Sequence, residues 1–267
     1  RGAFSSRMAN LINIFFNIRI LALHRERIAD IALSEAEEDT YSQTLEKNPQ
    51  NAATIELKNV IFSYNQFNKP ILKNINLIIS AGESVAITAP SGFGKTTLLK
   101  LMSGLLKPTS GEIYFDGINI NQMGLPNYRS RIAMILQEDT FFSGSIIENI
   151  VSFEDQYDRD FAIECAKLAS IHNEIMEMPM NYETLLGELG NNLSGGQRQR
   201  LFIARALYKK PQILFMDEAT SHLDEENERA INASISQLNI TRIIVAHRQS
   251  TIDSADRCIE LDKLPTS

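Results

Sequence analysis

The run Ala89-Pro90-Ser91-Gly92-Phe93-Gly94-Lys95-Thr96 joins a glycine-rich turn to a lysine and a hydroxyl. Backbone N–H groups of such a turn, with the positive end of a helix starting inside it, can cradle the β and γ phosphates of a nucleotide. Lys95 adds a point charge, and the Thr96 hydroxyl is a Mg2+ ligand. Ala89 stands where this pattern usually has its first glycine, and bulky Phe93 occupies a position normally small. Taken alone, the run also reads as a glycine turn without chemistry. A second element is Ile213-Leu214-Phe215-Met216-Asp217-Glu218, four apolar residues of a buried strand ending in two adjacent acids. Period-two geometry sends adjacent side chains opposite ways, so Asp217 can reach a metal ion while Glu218 faces an attacking water. An Asp-Glu pair after a strand is also a common helix-capping pattern; beside a phosphate-binding turn, the metal-and-water reading takes precedence. The third element is Leu193-Ser194-Gly195-Gly196-Gln197, followed by Arg198-Gln199-Arg200 and an apolar helical face of Leu201, Ile203, Ala204 and Leu207. It makes a second helix start suited to phosphate, and one nucleotide hardly needs both from one chain.

The elements that must position these groups follow from pattern and composition. At about 150 residues per domain, 267 residues make one large or two modest domains with ample core. The chain is 43% hydrophobic and 22% charged with 13 Gly and 8 Pro, which excludes a disordered, collagenous or disulfide-stapled protein. A net charge of −7 makes nucleic acid a poor partner. Cys165 and Cys258 have no metal-ligand spacing and read as reduced thiols. The sequence begins at Arg1 with no signal peptide and reads as a piece of something longer.

Residues Met8 to Leu23 are the nearest thing to a membrane span, but Asn10, Asn13, Asn17 and Arg19 interrupt them and the stretch falls short of the ~20 apolar residues a bilayer needs. The pattern from Leu11 through Phe15, Phe16, Leu21 and Ile28 to Leu33 predicts a long helix, apolar on more than one side, that wants partners. Acidic Glu35 to Asp39 and the polar tract ending at Asn51 read as a linker. Strands are expected at Ile55–Leu57 with Val60–Phe62, then at Ile71–Ile79, Ser84–Thr88, Glu112–Phe115, Ile132–Leu136, Ile213–Met216 and Arg242–Val245. Helices are expected from within Gly94–Leu99, through a mostly helical middle from about Gly144 to Met176, after Ser194, and from about Asp224. This alternation predicts a mainly parallel sheet covered on both faces.

With these motifs in this order, the stretch from about Thr54 to Asp262 resembles the nucleotide-binding domain of an ABC transporter, whose signature sequence stands unaltered at Leu193 to Gln197. The resemblance implies an α/β P-loop NTPase (RecA-like) core, an antiparallel β subdomain and an α-helical signature subdomain at about 138–205. Residues 51–267 would form that domain, and residues 1–50 the cytosolic end of a transmembrane-domain helix plus linker. It makes ATP and Mg2+ the cofactors. ATP would be bound by Tyr64, stacking on adenine, and by Ala89, Pro90, Ser91, Gly92, Phe93, Gly94, Lys95, Thr96 and Thr97. Thr96, Gln137 and Asp217 would hold the metal; Glu218, His247, Lys95 and Gln137 would serve catalysis. Leu193, Ser194, Gly195, Gly196, Gln197 and Asp224 would close over ATP bound to a second copy. The D-loop match, Ser221-His222-Leu223-Asp224, carries His222 where many members have Ala, and Asp224 also suits a plain helix N-cap. Taken singly, Tyr64 is an ordinary strand aromatic, Gln137 a loop residue and His247 a strand-end histidine; spacing and order lift all three.

Thr184 to Gly190 resembles the loop with which exporters couple their halves, and Thr140 to Ile150 the segment that receives an exporter's coupling helix. Leu23 to Ile31 resembles bacterial peptide and bacteriocin exporters of the colicin V type. That likeness implies a transmembrane domain, a second nucleotide-binding domain in a homodimer, a peptide cargo, and a place at the cytoplasmic face of the bacterial inner membrane. In that family a cysteine-peptidase domain stands at the far N-terminus, and the C-terminus continues through a Gly-containing hairpin. An exporter for a lipid or small hydrophobic compound is the alternative of the same class. A soluble ABC ATPase would not need the apolar leading helix, and a P-loop kinase has no use for a signature segment. A non-hydrolysing ATP-binding module, suggested by Ala89 and Phe93, conflicts with the presence of Glu218 and His247.

Overall fold

The computed structural model describes residues 2–33, 51–65, 69–187, 192–217, 225–246 and 248–264. The chain divides into two compact units, residues 1–39 and 40–267. The first contains helix α1 (Gly2–Ala32), whose apolar residues Ile12, Phe16, Ile18, Leu21 and Ile28 are all exposed and spread around its circumference. Arg19 lies over the Phe15 ring at 5.9 Å. Among the described residues no helix is long and apolar enough to cross a membrane.

In the second unit β1 (Ile55–Phe62), β2 (Leu72–Ile79), β3 (Ser84–Thr88), α2 (Lys95–Met102), β4 (Ser110–Phe115), β5 (Ile118–Asn119), α3 (Ile120–Met123), α4 (Leu125–Arg129) and β6 (Ile132–Ile135) come first. Then follow β7 (Gly144–Ser145), α5 (Ile146–Ile150), α6 (Arg159–Leu168), α7 (His172–Glu177), β8 (Leu185–Leu186), α8 (Gly195–Tyr208), β9 (Ile213–Asp217), α9 (Glu225–Ser236), β10 (Thr241–Val245), α10 (Gln249–Asp253) and β11 (Arg257–Glu260). A five-stranded sheet, ordered β11-β3-β10-β9-β6, is parallel throughout; an antiparallel sheet is ordered β2-β1-β4-β5.

Two hydrophobic cores share the parallel sheet, and side-chain alternation divides them. Ile213 and Phe215 of β9, with Val85, Ile87, Ile243 and Val245, face a core completed by β1, β2 and α2. Leu214 and Met216, with Ala86, Ala133 and Ile244, face a second core completed by α5, α6, α7 and α8. A strand packed on both faces has no polar side to offer water, which is why residues 213–216 form an unbroken apolar run.

Several elements differ from the sequence expectation. Strand β1, which unites Ile55–Leu57 with Val60–Phe62, pairs irregularly where Asn59 takes φ +51° and its N–H donates to Asn76 Oδ1 at 2.9 Å. The expected helical middle does not begin at Gly144, because Gly144 and Ser145 pair with Leu186 and Leu185 as a short antiparallel ladder. Helix α5 starts only after Ser145, whose hydroxyl and the Glu148 carboxylate form a capping box. Strand β11 carries almost no apolar pattern in the sequence: of its four residues only Ile259 is buried. Arg257 there sets Nε 2.7 Å from Glu83 Oε1 and donates to the Ile78 carbonyl of edge strand β2 at 2.7 Å.

Both described cysteines are free, as expected. Cys165 is buried in α6, and loss of solvent, with Glu164 nearby adding to it, pushes its thiol up to about 12; Cys258 is exposed. Because the thiolate is the reactive form, a maleimide at neutral pH should label one thiol per native chain, at Cys258, and two only after denaturation, as mass spectrometry would show.

Candidate nucleotide-binding site

Parallel pairing brings the candidate loops to one edge of the sheet. Ile87 of β3 pairs with Val245 of β10, Val245 with Asp217 of β9, and Met216 with Ile135 of β6. The chain leaves these neighbouring carboxyl ends at Ala89, Ala246, Asp217 and Leu136, the edge where open α/β sheets bind ligands. Glu218, the expected D-loop stretch Ser221 to Asp224 and His247 lie outside the described residues. They continue directly from the described ends of β9 and β10.

At the first of these ends, Gly92 and Gly94 take φ of +79° and +92°. At Gly94 the constraint is double: the backbone is left-handed, and a Cβ would lie 2.8 Å from Ile71 Cγ2. Gly94 caps α2 without any side-chain hydrogen bond, so the first-turn amides are not taken up by a capping side chain. Lys95 is buried and its Nζ donates to the carbonyls of Ala89 (2.8 Å) and Pro90 (3.3 Å), which holds the ammonium within the turn. The turn thus pairs an uncapped helix start with an immobilised cation, a combination that fits a triphosphate. Phe93 is half-exposed and lines a cavity of about 230 Å³ with Pro70, Ile71 and Leu261.

Tyr64, just beyond β1, stands edge-on to Phe62 with ring centroids 4.9 Å apart, and its hydroxyl lies 3.2 Å from Thr97 Oγ1 of α2. The expected adenine platform and the phosphate turn are therefore joined at the first turn of one helix. For the metal, Thr96 is half-buried, Asp217 is buried at 3% exposure and Gln137 is exposed, two residues past the end of β6. Among the described residues no group of three or more His, Cys, Asp or Glu could hold a metal ion. A hydroxyl, an amide and one carboxylate suit Mg2+, which takes few protein ligands and keeps phosphate and water oxygens.

The signature segment is built by a capping box at the start of α8. Gln197 N donates to Ser194 Oγ (3.2 Å), and Gln197 Oε1 accepts from Ser194 N (2.9 Å). Since Ser194 Oγ is the acceptor there, its own proton remains available for an anion. Leu193 packs against the helical core, while Gly195 and Gly196 put small residues at the helix start.

Sequence reading missed two residues that hold this segment. Glu174 of α7 accepts from Gln197 Nε2 at 2.8 Å and from Arg200 at 2.5 Å. Arg205 of α8 donates to Asn149 O (2.9 Å), Asn149 Oδ1 (2.7 Å) and Thr140 O (3.4 Å), with its guanidinium over the rings of Phe141 and Phe202 at 5.2 Å. It ties the signature helix to the segment after Gln137. Burial draws this guanidinium below its usual value, opposed by Asp139, whose own carboxyl burial pushes up. Buried ionic groups are costly to leave unpaired, so Glu174→Ala should lower stability by about 1–3 kcal/mol and Glu174→Gln by less; urea denaturation of the three proteins checks the ranking.

Comparison with known proteins agrees with this geometry. Residues 72–221 match the family described as ABC transporter. The colicin V secretion/processing ATP-binding protein CvaB of Escherichia coli is 49% identical over 98% of this chain and 37% of its own length. The alpha-hemolysin translocation ATP-binding protein HlyB of Escherichia coli O157:H7 is 41% identical over 96% of this chain and 36% of its own. The chain therefore spans little more than a third of these relatives. The structure of a bacterial Atm1-family ABC exporter with ATP bound superposes with a TM-score of 0.80 and 31% identity, covering 91% of this chain and 43% of that one. The chain therefore belongs to the ABC transporters and carries their ATPase domain.

Proposed function

We propose that the chain binds ATP with Mg2+ and hydrolyses it to power export of a peptide or bacteriocin across the bacterial inner membrane. It would act from the cytoplasmic face, joined to a transmembrane domain and paired head-to-tail with a second copy. The observation that carries this reading is that two phosphate-suited helix starts, α2 and α8, are rooted in different cores of one chain. One nucleotide gripped by both is most simply shared between two copies, the α2 turn of one and the Ser194 cap of the other. Relatedness to proteins named for colicin V, microcin H47 and leukotoxin secretion or export supports a peptide or protein cargo. The ATP-dependent lipid A-core flippase of Syntrophus aciditrophicus, 41% identical over 80% of the chain, supports a lipid cargo less strongly.

Phosphoryl transfer to water asks the protein mainly for positioning and charge stabilisation. Lys95 and the amides from Gly92 to Thr96 hold the β and γ phosphates and stabilise the charge that grows on their oxygens. Thr96, Gln137 and Asp217 would hold Mg2+, which neutralises those oxygens when bound. Glu218 accepts a proton from water as its oxygen attacks the γ phosphorus and the bond to the bridging oxygen breaks, giving ADP and phosphate. His247 holds the γ-phosphate, and Ser194 donates its hydroxyl proton to a phosphate oxygen on the partner copy. Tyr64 stacks on adenine, and Asp224 of each copy faces the other's site.

Replacing the general base separates binding from chemistry. Glu218→Gln should keep ATP affinity, lose roughly 10²–10⁴-fold in hydrolysis, and accumulate an ATP-dependent dimer seen by sedimentation; hydrolysis at the unmodified rate overturns the assignment. Lys95→Ala should abolish ATP binding itself, read by a fluorescent nucleotide.

A further inference from the structure

Among the described residues only two carboxylates are buried, Asp217 and Glu228. The first has a place in the site just described. Glu228 belongs to no motif, is 2% exposed, and lies in the first part of α9, directly downstream of the D-loop match. Its partners include residues just beyond β10. Thr251 Oγ1 donates to Glu228 Oε1 at 2.5 Å, Ser250 Oγ donates to Oε2 at 3.2 Å, and Arg248 NH1 stands 3.7 Å from Oε2. Thr251 is itself buried at 3% exposure. These three residues lie immediately before and within the first turn of α10. The Glu228 carboxylate therefore ties α9 to the start of α10 through side-chain hydroxyls and the Arg248 guanidinium.

The topology gives that anchor its meaning. Strands β9 and β10 are neighbours, and their last residues, Asp217 and Val245, are in register. One segment leaves Asp217, carries Glu218 and the D-loop match, and enters α9; the other leaves Val245, carries His247, and enters α10. Each is pinned at its beginning by the β9–β10 ladder. The Glu228 contacts with Arg248, Ser250 and Thr251 pin the two together again at their far ends. The described ends of the two segments are thus joined twice, by the strand ladder and by contacts to a buried carboxylate. Such a group holds its geometry firmly, because any arrangement that unpairs it leaves an acceptor buried without donors.

We propose that Glu228 is a positioning residue for ATP hydrolysis: by tying α9 to the start of α10 it fixes the segment bearing His247 against the segment bearing Glu218. The kinetic part rests on the ATPase reading above; the positional part does not. It also follows that Thr251 is the second half of the device, since it makes the shortest contact and is buried with its partner.

Two isosteric variants and one conservative control test this. Glu228→Gln and Thr251→Val should each lower kcat at least tenfold while KM and ATP affinity stay within about twofold, measured well below the thermal midpoint, which loss of the buried contact lowers. The double variant should be no worse than the poorer single, as expected of groups acting through one contact, and Thr251→Ser should restore kcat. Histidine-selective NMR of the same proteins reads the positional part without hydrolysis: the His247 signal should shift in Glu228→Gln and in Thr251→Val, while that of His172, paired with Tyr182 at 2.8 Å, stays in place. An unmoved His247 signal overturns the proposal whether or not the chain hydrolyses ATP. Unchanged kcat in both variants, or equal loss in Thr251→Ser and Thr251→Val, also overturns it. If the unmodified chain fails to hydrolyse ATP while His247 shifts as expected, the functional reading fails and the positional part stands.

Discussion

The structure depends on the in-register parallel pairing of β3, β10, β9 and β6. Register in a parallel ladder is fixed when both faces are buried, because a slip of one residue exchanges every inward and outward side chain. Here the exchange would move Ile213 and Phe215 into the helical core and Leu214 and Met216 into the β core, where neither set fits. The same register that satisfies packing sets Ile87, Val245 and Asp217 side by side, with Ile135 beside Met216. Chemistry at the edge is thus a by-product of core packing: the loops can vary in sequence as long as the strands beneath them cannot slide.

On that foundation the two phosphate-suited helix starts are stabilised by different means. The start of α2 is shaped by backbone, with left-handed glycines and a lysine folded back on its own carbonyls. The start of α8 is shaped by side chains, with the Ser194–Gln197 box leaning on Glu174 and Arg200. A backbone cradle is rigid at any ionic strength, whereas a cap supported through a half-exposed carboxylate is more responsive to its surroundings. Arg205 then links the second start to the loop after Gln137, so that the signature helix and the segment beyond β6 share one support.

What could be read from the sequence was whatever repeats a local rule. The apolar run of β9, the glycine turn before α2 and the Ser-x-x-Gln box before α8 each announce themselves within a few residues, and all three are where the pattern put them. What could not be read depends on contacts across the chain. β11 has a single buried residue, Ile259, and exists because β3 offers it an edge. The ladder of Gly144 and Ser145 needs Leu185 and Leu186. Glu174 and Glu228 look like surface acids on helices until their partners, Arg200 and Thr251, arrive from elsewhere in the fold. The groups nearest the expected chemistry, Glu218 and His247, remain assigned by order and spacing alone.

Arg257 has an effect beyond its own strand. An outermost strand presents unpaired carbonyls and amides that another chain could zip onto. By filling the Ile78 acceptor and clamping Glu83 alongside it, the guanidinium removes one rung from that template and leaves a fixed charge in the path of an incoming strand. Self-association through the rim of the antiparallel layer is thereby discouraged.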